Sequence, residues 1–162
     1  MSDAKSNDKS GARRTVAVNR RARHEYFIED TLVAGLVLVG TEVKSLRAGK
    51  ANLTDAYARI EKDEVWLHHM HVAPHSEGNR YNVAPLRSRK LLLKRAQIDR
   101  LSGLVQQKGL ALIPLSLFFE RGFAKVELGV ARGKKLHDKR ESIAERDRQR
   151  EARREFATRQ DR

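Results

Sequence analysis

Leu110-Ala-Leu-Ile-Pro-Leu-Ser-Leu-Phe-Phe119, Glu120-Arg121-Gly122 and Phe123-Ala-Lys-Val-Glu-Leu-Gly-Val130 form the most regular stretch of the chain. Two apolar runs rich in β-formers flank a short polar turn containing glycine, which is the pattern of a β-hairpin. Pro114 has no N–H to give to a ladder, so it belongs at an edge or a bulge. Just upstream, Ile98, Leu101, Leu104 and Val105 keep helical spacing up to Gly109, a residue suited to the position past a helix end.

Further upstream, Leu53–Ile60 alternates, Glu61-Lys-Asp-Glu64 reads as a polar turn, and Val65–Val72 returns, giving a second hairpin that Pro74 ends. Tyr26-Phe27-Ile28 and Leu32–Val39 read as strand. Gly35 within the second marks a bulge or a sharp bend. Leu91-Leu92-Leu93 is a further short apolar run. Asn19 is expected to cap one helical turn through His24, and Thr41 to cap a short helix Glu42–Ala48 that Gly49 stops. About six strands with two or three short helices in so few residues make a mainly β protein. The expected architecture is a small, closed barrel like that of oligonucleotide-binding (OB) folds, the alternative being an open α+β sheet.

The chain has 162 residues and a net charge of +13, so where the charge lies matters. Residues 1–23 hold 7 basic and 2 acidic side chains, residues 132–162 hold 12 and 7, and residues 24–131 hold 15 and 12. The ends thus carry most of the excess. A polyanionic partner is expected, nucleic acid first and an anionic membrane second, because Lys and Arg that neutralise phosphates release condensed counterions.

With no cysteine, disulfides, thiolate metal sites and thiol nucleophiles are excluded. No run of roughly 18 apolar residues occurs, and the polar start lacks a signal-peptide core, so a cytoplasmic protein is expected. Gly129-Val-Ala-Arg-Gly133-Lys134-Lys135 approaches the phosphate-loop pattern but is one residue short and lacks the metal-binding Ser or Thr. His68, His69, His71 and His75 cluster, yet on a strand only His69 and His71 would point the same way, too few for a closed tetrahedral site. Neither a cofactor nor a metal is expected.

Three units follow: a disordered extension over 1–18, a barrel over 19–131 and a basic tail over 132–162. Large apolar side chains in the last twenty or so residues are limited to Ile143 and Phe156, so a core face is missing. Drawn as a helix, Asp147, Glu151 and Glu155 align at i, i+4, as do Arg146, Arg150 and Arg154. These like-charged stripes oppose helicity by about as much as the i, i+3 pairs Glu145–Arg148, Asp147–Arg150 and Glu151–Arg154 favour it, a few tenths of a kcal/mol each. The tail is expected to be disordered alone and helical against phosphates.

Asn19-Arg-Arg-Ala-Arg-His-Glu-Tyr26, Ala34-Gly35-Leu36, Gly40-Thr-Glu-Val-Lys-Ser-Leu-Arg-Ala-Gly-Lys50, Arg89-Lys90-Leu91-Leu92 and Ala131-Arg-Gly-Lys-Lys-Leu-His-Asp-Lys-Arg140 resemble the SmpB family of SsrA-binding proteins. The match runs from about residue 15 to the end, with several long motifs in the family's order and spacing. The resemblance implies a monomeric, non-enzymatic RNA-binding protein of trans-translation with an OB-like barrel. It would bind the tRNA-like domain of transfer-messenger RNA (SsrA) and deliver it to stalled bacterial ribosomes. The tail, helical on the ribosome, would occupy the decoding site and the empty mRNA channel of the small subunit, allowing peptide tagging.

Carried over by motif, RNA-binding positions fall on Asn19, Lys44, Arg47, Arg89, Lys90, Leu92 and Lys125, and ribosome-interacting tail positions on Gly133, Lys134, Lys135, His137, Asp138, Lys139 and Arg140. The chain departs from the pattern at Val33, where many members have a glutamate, so the resemblance supplies no carboxylate there. The other readings are a generic OB-type single-strand binder or RNA chaperone, and an RNA-processing enzyme. The first depends on exposed stacking aromatics. The second lacks an acid–base or metal constellation.

Overall fold

The structure is a computed structural model that describes residues 13–75 and 82–160, the side chains at 136–139, 142, 159 and 160 excepted. Most of the extension expected to be disordered, and most of the loop 75–85, therefore lie outside the described residues.

The elements in chain order are β1 (Arg14–Val18), α1 (Ala22–Glu25), β2 (Tyr26–Leu36), α2 (Gly40–Arg47), β3 (Ala51–Asn52), β4 (Tyr57–Glu61), β5 (Glu64–His68), β6 (His71–Val72), β7 (Arg89–Leu92), α3 (Arg95–Lys108), β8 (Ala111–Glu120), β9 (Phe123–Gly133) and α4 (Leu136–Gln160). Seven strands form one sheet in the order β1-β8-β4-β5-β7-β2-β9, in which β8 and β9 also pair with each other, while β3 and β6 pair separately.

Both expected hairpins are present. Lys62 and Asp63 turn the β4–β5 hairpin at φ 49° and 63°, and Arg121 and Gly122 turn β8–β9 at φ 52° and 82°. This left-handed two-residue turn matches the twist of the flanking strands. The β8–β9 register shifts between Pro114 and Ser116, so Pro114 sits at a bulge as its missing N–H requires. Tyr26–Leu36 is one strand, and its shift against β9 falls between Ile28 and Asp30 and not at Gly35.

Three local expectations are corrected. Arg14–Val18, placed in the disordered extension, pairs antiparallel with β8, because Val16, Ala17 and the neighbouring β-formers find an open edge there. The turn after Asn19 begins at Ala22, with Arg21 at its N-cap. The α2 helix starts at Gly40, not after Thr41, and the Val39 N–H donates to Glu42 Oε1 at 3.1 Å.

The core gathers Leu36, Leu46, Leu53, Val65, Leu67, Leu91, Leu117, Val126 and Leu128, and Leu101 of α3 is fully buried against them. Each such leucine contributes about 2 kcal/mol of transfer free energy. Gly109 ends α3 with φ 62°, as its spacing predicted, and Gln97 Oε1 accepts the Lys94 N–H at 2.9 Å at the other end.

Residues 136–160, expected to be disordered in the free protein, form α4. The pair Arg148–Glu145 closes at 3.2 Å, and Gln149 donates to Glu145 at 3.3 Å. The missing core face is as expected, since every described side chain of α4 is exposed.

Candidate nucleic-acid interface

Directly opposed residues in an antiparallel sheet share a face. Gly35 of β2 lies opposite Lys125 of β9 on one side and Leu92 of β7 on the other. A Cβ built on Gly35 would stand 3.3 Å from Leu92 Cβ, a tight approach to which Leu92 would have to yield by a few tenths of an ångström. Leu92 is 54% exposed, an apolar surface beside a cation. Lys125 Nζ is held 3.3 Å from Glu120, and two residues along β7 Lys90 Nζ lies 3.1 Å from Glu64. The expected Lys90, Leu92 and Lys125 are thus brought onto one outer face.

Lys44 and Arg47 are exposed on α2, which follows β2. The Arg47 carbonyl accepts a hydrogen bond from Arg14 Nη2 at 2.9 Å, and its guanidinium lies 5.8 Å from the Phe119 ring centre, which ties the last turn of α2 to the β1–β8 edge. Val33 sits opposite Glu127 of β9, whose carboxylate is 3.7 Å from Arg13 Nη1. That row therefore has a carboxylate on β9, although β2 contributes none.

Two carried-over positions are not surface groups. Asn19 is 6% exposed; its Nδ2 donates to the Pro114 carbonyl at 3.0 Å and its N–H to the Leu115 carbonyl at 2.8 Å, satisfying carbonyls at the bulge of β8. Arg89 is fully buried. Its guanidinium binds the Glu42 carboxylate, the Met70 carbonyl at 2.7 Å and the Pro85 carbonyl at 3.2 Å. Alternation within the four residues Arg87-Ser-Arg89-Lys90 cannot show which cations point inward.

Glu42 lies in the first turn of α2, where the helix dipole favours an anion, and the structure gives it more to do. It is 3% exposed and bonds Arg87 and Arg89 together. Burial alone would push its carboxyl up, but hydrogen bonds from Arg87 and the Val39 N–H, with the charge of Arg89, outweigh that and hold it below the usual range. Burial pulls Arg89 below the usual arginine value despite Glu42. The sequence signal was a glutamate three residues into a capped helix.

The tail group lies at the far end of β9, about 26 Å along the strand from Lys125 to Gly133. Gly133 pairs with Tyr26 and is exposed. Lys134 donates its N–H to the Glu25 carbonyl at 2.8 Å and its Nζ to the Arg23 carbonyl at 2.9 Å. Arg132 and Lys134 each place their charge 4.8 Å from the centre of the Phe27 ring. Lys135 and Arg140 are exposed; the side chains of His137, Asp138 and Lys139 lie outside the described residues. Further along, Arg146 Nη2 approaches His24 Nδ1 at 3.4 Å.

An open groove of about 710 Å³ runs between α1, β4, α3 and the start of β8. Arg21 and Arg59 on its walls are balanced by Glu25 and Asp55, so its charge does not select an anion. The histidines are engaged locally: His68 Nδ1 is 2.8 Å from Ser88 Oγ, its Nε2 is 3.0 Å from Glu61, and both His68 and His69 stack on Tyr57 at 5.4 Å. Among the described residues, no group of three or more His, Cys, Asp or Glu side chains gathers as a metal site. No helix among them is long and apolar enough to cross a membrane.

Comparison with known proteins is consistent across sequence and structure. The family model described as SmpB protein matches residues 16–158. The chain is 55% identical over 150 residues to the SsrA-binding protein of Geobacillus thermodenitrificans, covering 93% of this chain and 97% of that one. It is 61% identical over 138 residues to the SsrA-binding protein of Desulforudis audaxviator, covering 85% and 90%. A solved chain described as "tmRNA-SmpB: a journey to the center of the bacterial ribosome" superposes with a TM-score of 0.64 at 52% identity, covering 78% of this chain and 93% of that one. The chain belongs to the SmpB family.

Proposed function

We propose that this protein binds the tRNA-like domain of transfer-messenger RNA and carries it to stalled bacterial ribosomes in the cytoplasm, as a partner and not a catalyst. Its relatives are SsrA-binding proteins, and its structural neighbour is described as tmRNA-SmpB in the ribosome. The observation that carries the reading is the separation of two basic groups to opposite ends of β9.

One group, Lys44, Arg47, Lys90 and Lys125 with Leu92, faces outward from the body of the sheet. We assign it to transfer-messenger RNA. The pairing of β8 with both β4 and β9 supports reading the sheet as an OB-like closed barrel over 19–131. The other group begins at Gly133, in the basic tail over 132–162, and continues into α4, whose described arginine side chains are exposed with no core to face. We assign it to the decoding site and the empty mRNA channel, where RNA phosphates would supply its partners. Arg89 supports the first group from beneath through Glu42 of α2, while Asn19 braces the bulge of β8.

Phe118 and Phe119 are buried, which removes two candidate stacking platforms for a bare single strand. The test is the binding of the full chain to the tRNA-like domain as salt is raised. Contacts to Z phosphates give a log–log slope of roughly −0.7Z to −0.9Z, and a flat slope would exclude a charge-driven interface.

A further inference from the structure

The RNA-facing cations stand on separate pieces of chain. Lys44 and Arg47 belong to α2, whereas Lys90 and Leu92 belong to β7, more than forty residues later. A shared phosphate surface needs these pieces held at a fixed spacing, because cations that drift relative to one another meet the same phosphates less often. The backbone pairing of β2 with β7 reaches as far as Val37, whose N–H donates to the Lys90 carbonyl at 3.0 Å, but not α2 itself. A buried side-chain network does.

Its centre is Glu42, on the first turn of α2. One carboxylate oxygen accepts from the Val39 N–H at 3.1 Å and from Arg87; the other accepts from Arg89. Arg89 opens β7 and reaches onward to the Met70 carbonyl at 2.7 Å and the Pro85 carbonyl at 3.2 Å. Four pieces of chain thus converge on one carboxylate–guanidinium pair: the start of α2, the end of the β5 hairpin, the residue at 85 and β7. Glu42 and Arg89 are 3% and 0% exposed, so neither can itself meet a ligand. Lys44 is two residues from Glu42, and Lys90 is adjacent to Arg89, on the exposed sides of the same elements.

We propose that Glu42 and Arg89 are positioning residues for RNA binding, their buried pair setting the spacing between the Lys44 and Arg47 cations of α2 and the Lys90 and Leu92 contacts of β7. The proposal rests on the RNA-binding reading given above. A buried ion pair is not required for stability as such, since replacing both partners with apolar residues is often neutral or stabilising. Its retention is then accounted for by geometry.

The test uses the full chain and a labelled RNA of the tRNA-like domain, with Glu42→Leu/Arg89→Met as the main variant and Lys44→Ala added to both backgrounds. The double variant should unfold a few degrees below the parent, because Arg87, the Val39 N–H and the Met70 and Pro85 carbonyls lose their partners, and where fully folded it should bind about tenfold more weakly, with a salt slope shallower by about one phosphate. Lys44→Ala should cost about fivefold in the parent and less than about twofold in the double variant, because a cation already out of place has little left to lose.

Glu42→Asp keeps the charge but shortens its reach by one methylene. It should show the same loss of coupling to Lys44, and it serves if the double variant does not fold. Parental affinity and slope in the variants, or an equal cost of Lys44→Ala in all backgrounds, would overturn the proposal while leaving the RNA-binding reading intact. Failure of the parent to bind the RNA would overturn both.

Discussion

Gly35 and Leu92 face each other across β2 and β7 so closely that a Cβ on the glycine would lie 3.3 Å from Leu92 Cβ, tighter than an ordinary contact. Leu92 therefore stands next to a glycine, with Lys125 of β9 on the glycine's other side. Gly35→Val should push Leu92 outward and weaken RNA binding by about tenfold, at a stability cost of about 1–3 kcal/mol from overpacking. Titration of the folded variant with the labelled tRNA-like domain checks this. Unchanged affinity would remove Leu92 from the interface.

Asn19 separates a buried support from an RNA contact. Asn19→Ala leaves the Pro114 carbonyl without its side-chain donor and should destabilise the protein by about 1–2 kcal/mol. RNA affinity, measured well below the unfolding temperature, should change less than about twofold. A large loss of affinity with an unchanged unfolding temperature would mean that the amide touches RNA.

Acid should act through Glu42. Its folded pKa lies below the ordinary value of 4.5, so the stabilisation it gives is present above that value and is lost as pH falls through the lower, folded value. The parent should lose stability in urea unfolding on going from roughly pH 5 to pH 3, and Glu42→Gln should show a smaller pH dependence over the same window. Equal slopes for both proteins would mean that Glu42 is not the titrating group.

The tail helix has exposed side chains throughout its described length, and apart from the approach of Arg146 to His24 its described side-chain contacts are i, i+3 and i, i+4 pairs worth about 0.2–0.5 kcal/mol each. A peptide covering residues 133–162 should lose most of the helix seen in the intact chain and regain it on adding a phosphate polymer at low salt. Circular dichroism reads both. A peptide strongly helical without the polymer would show that α4 needs no partner.

These residues also show where sequence reading works and where it stops. The hairpins were legible because alternation and turn residues are local, and so was the stop of α3 at Gly109. Pro114 was legible from a missing N–H, and Gly35 was singled out, although the reason is the approach of Leu92 and not a bulge in its own strand. Arg14–Val18 was missed because its strand exists only through an edge that residues a hundred positions later provide. Arg89 and Glu42 escaped for the same reason. Nothing within a few residues of either shows that they point at one another. The basic excess of the tail was legible from composition, whereas Lys44, Arg47, Lys90, Leu92 and Lys125 came from the family resemblance, and the grouping of Lys90, Leu92 and Lys125 on one face required the register.

The division of labour between the two ends of β9 is the central claim. The Lys134 backbone and side chain are tied to Glu25 and Arg23, so a chain ending after Lys135 keeps the anchored part of the tail and loses α4. Binding of this truncated protein to the tRNA-like domain, and peptide tagging on stalled ribosomes, should be measured side by side. Binding should stay within about twofold of the full chain while tagging falls more than about tenfold. Equal loss of both activities, or retention of both, would contradict the account.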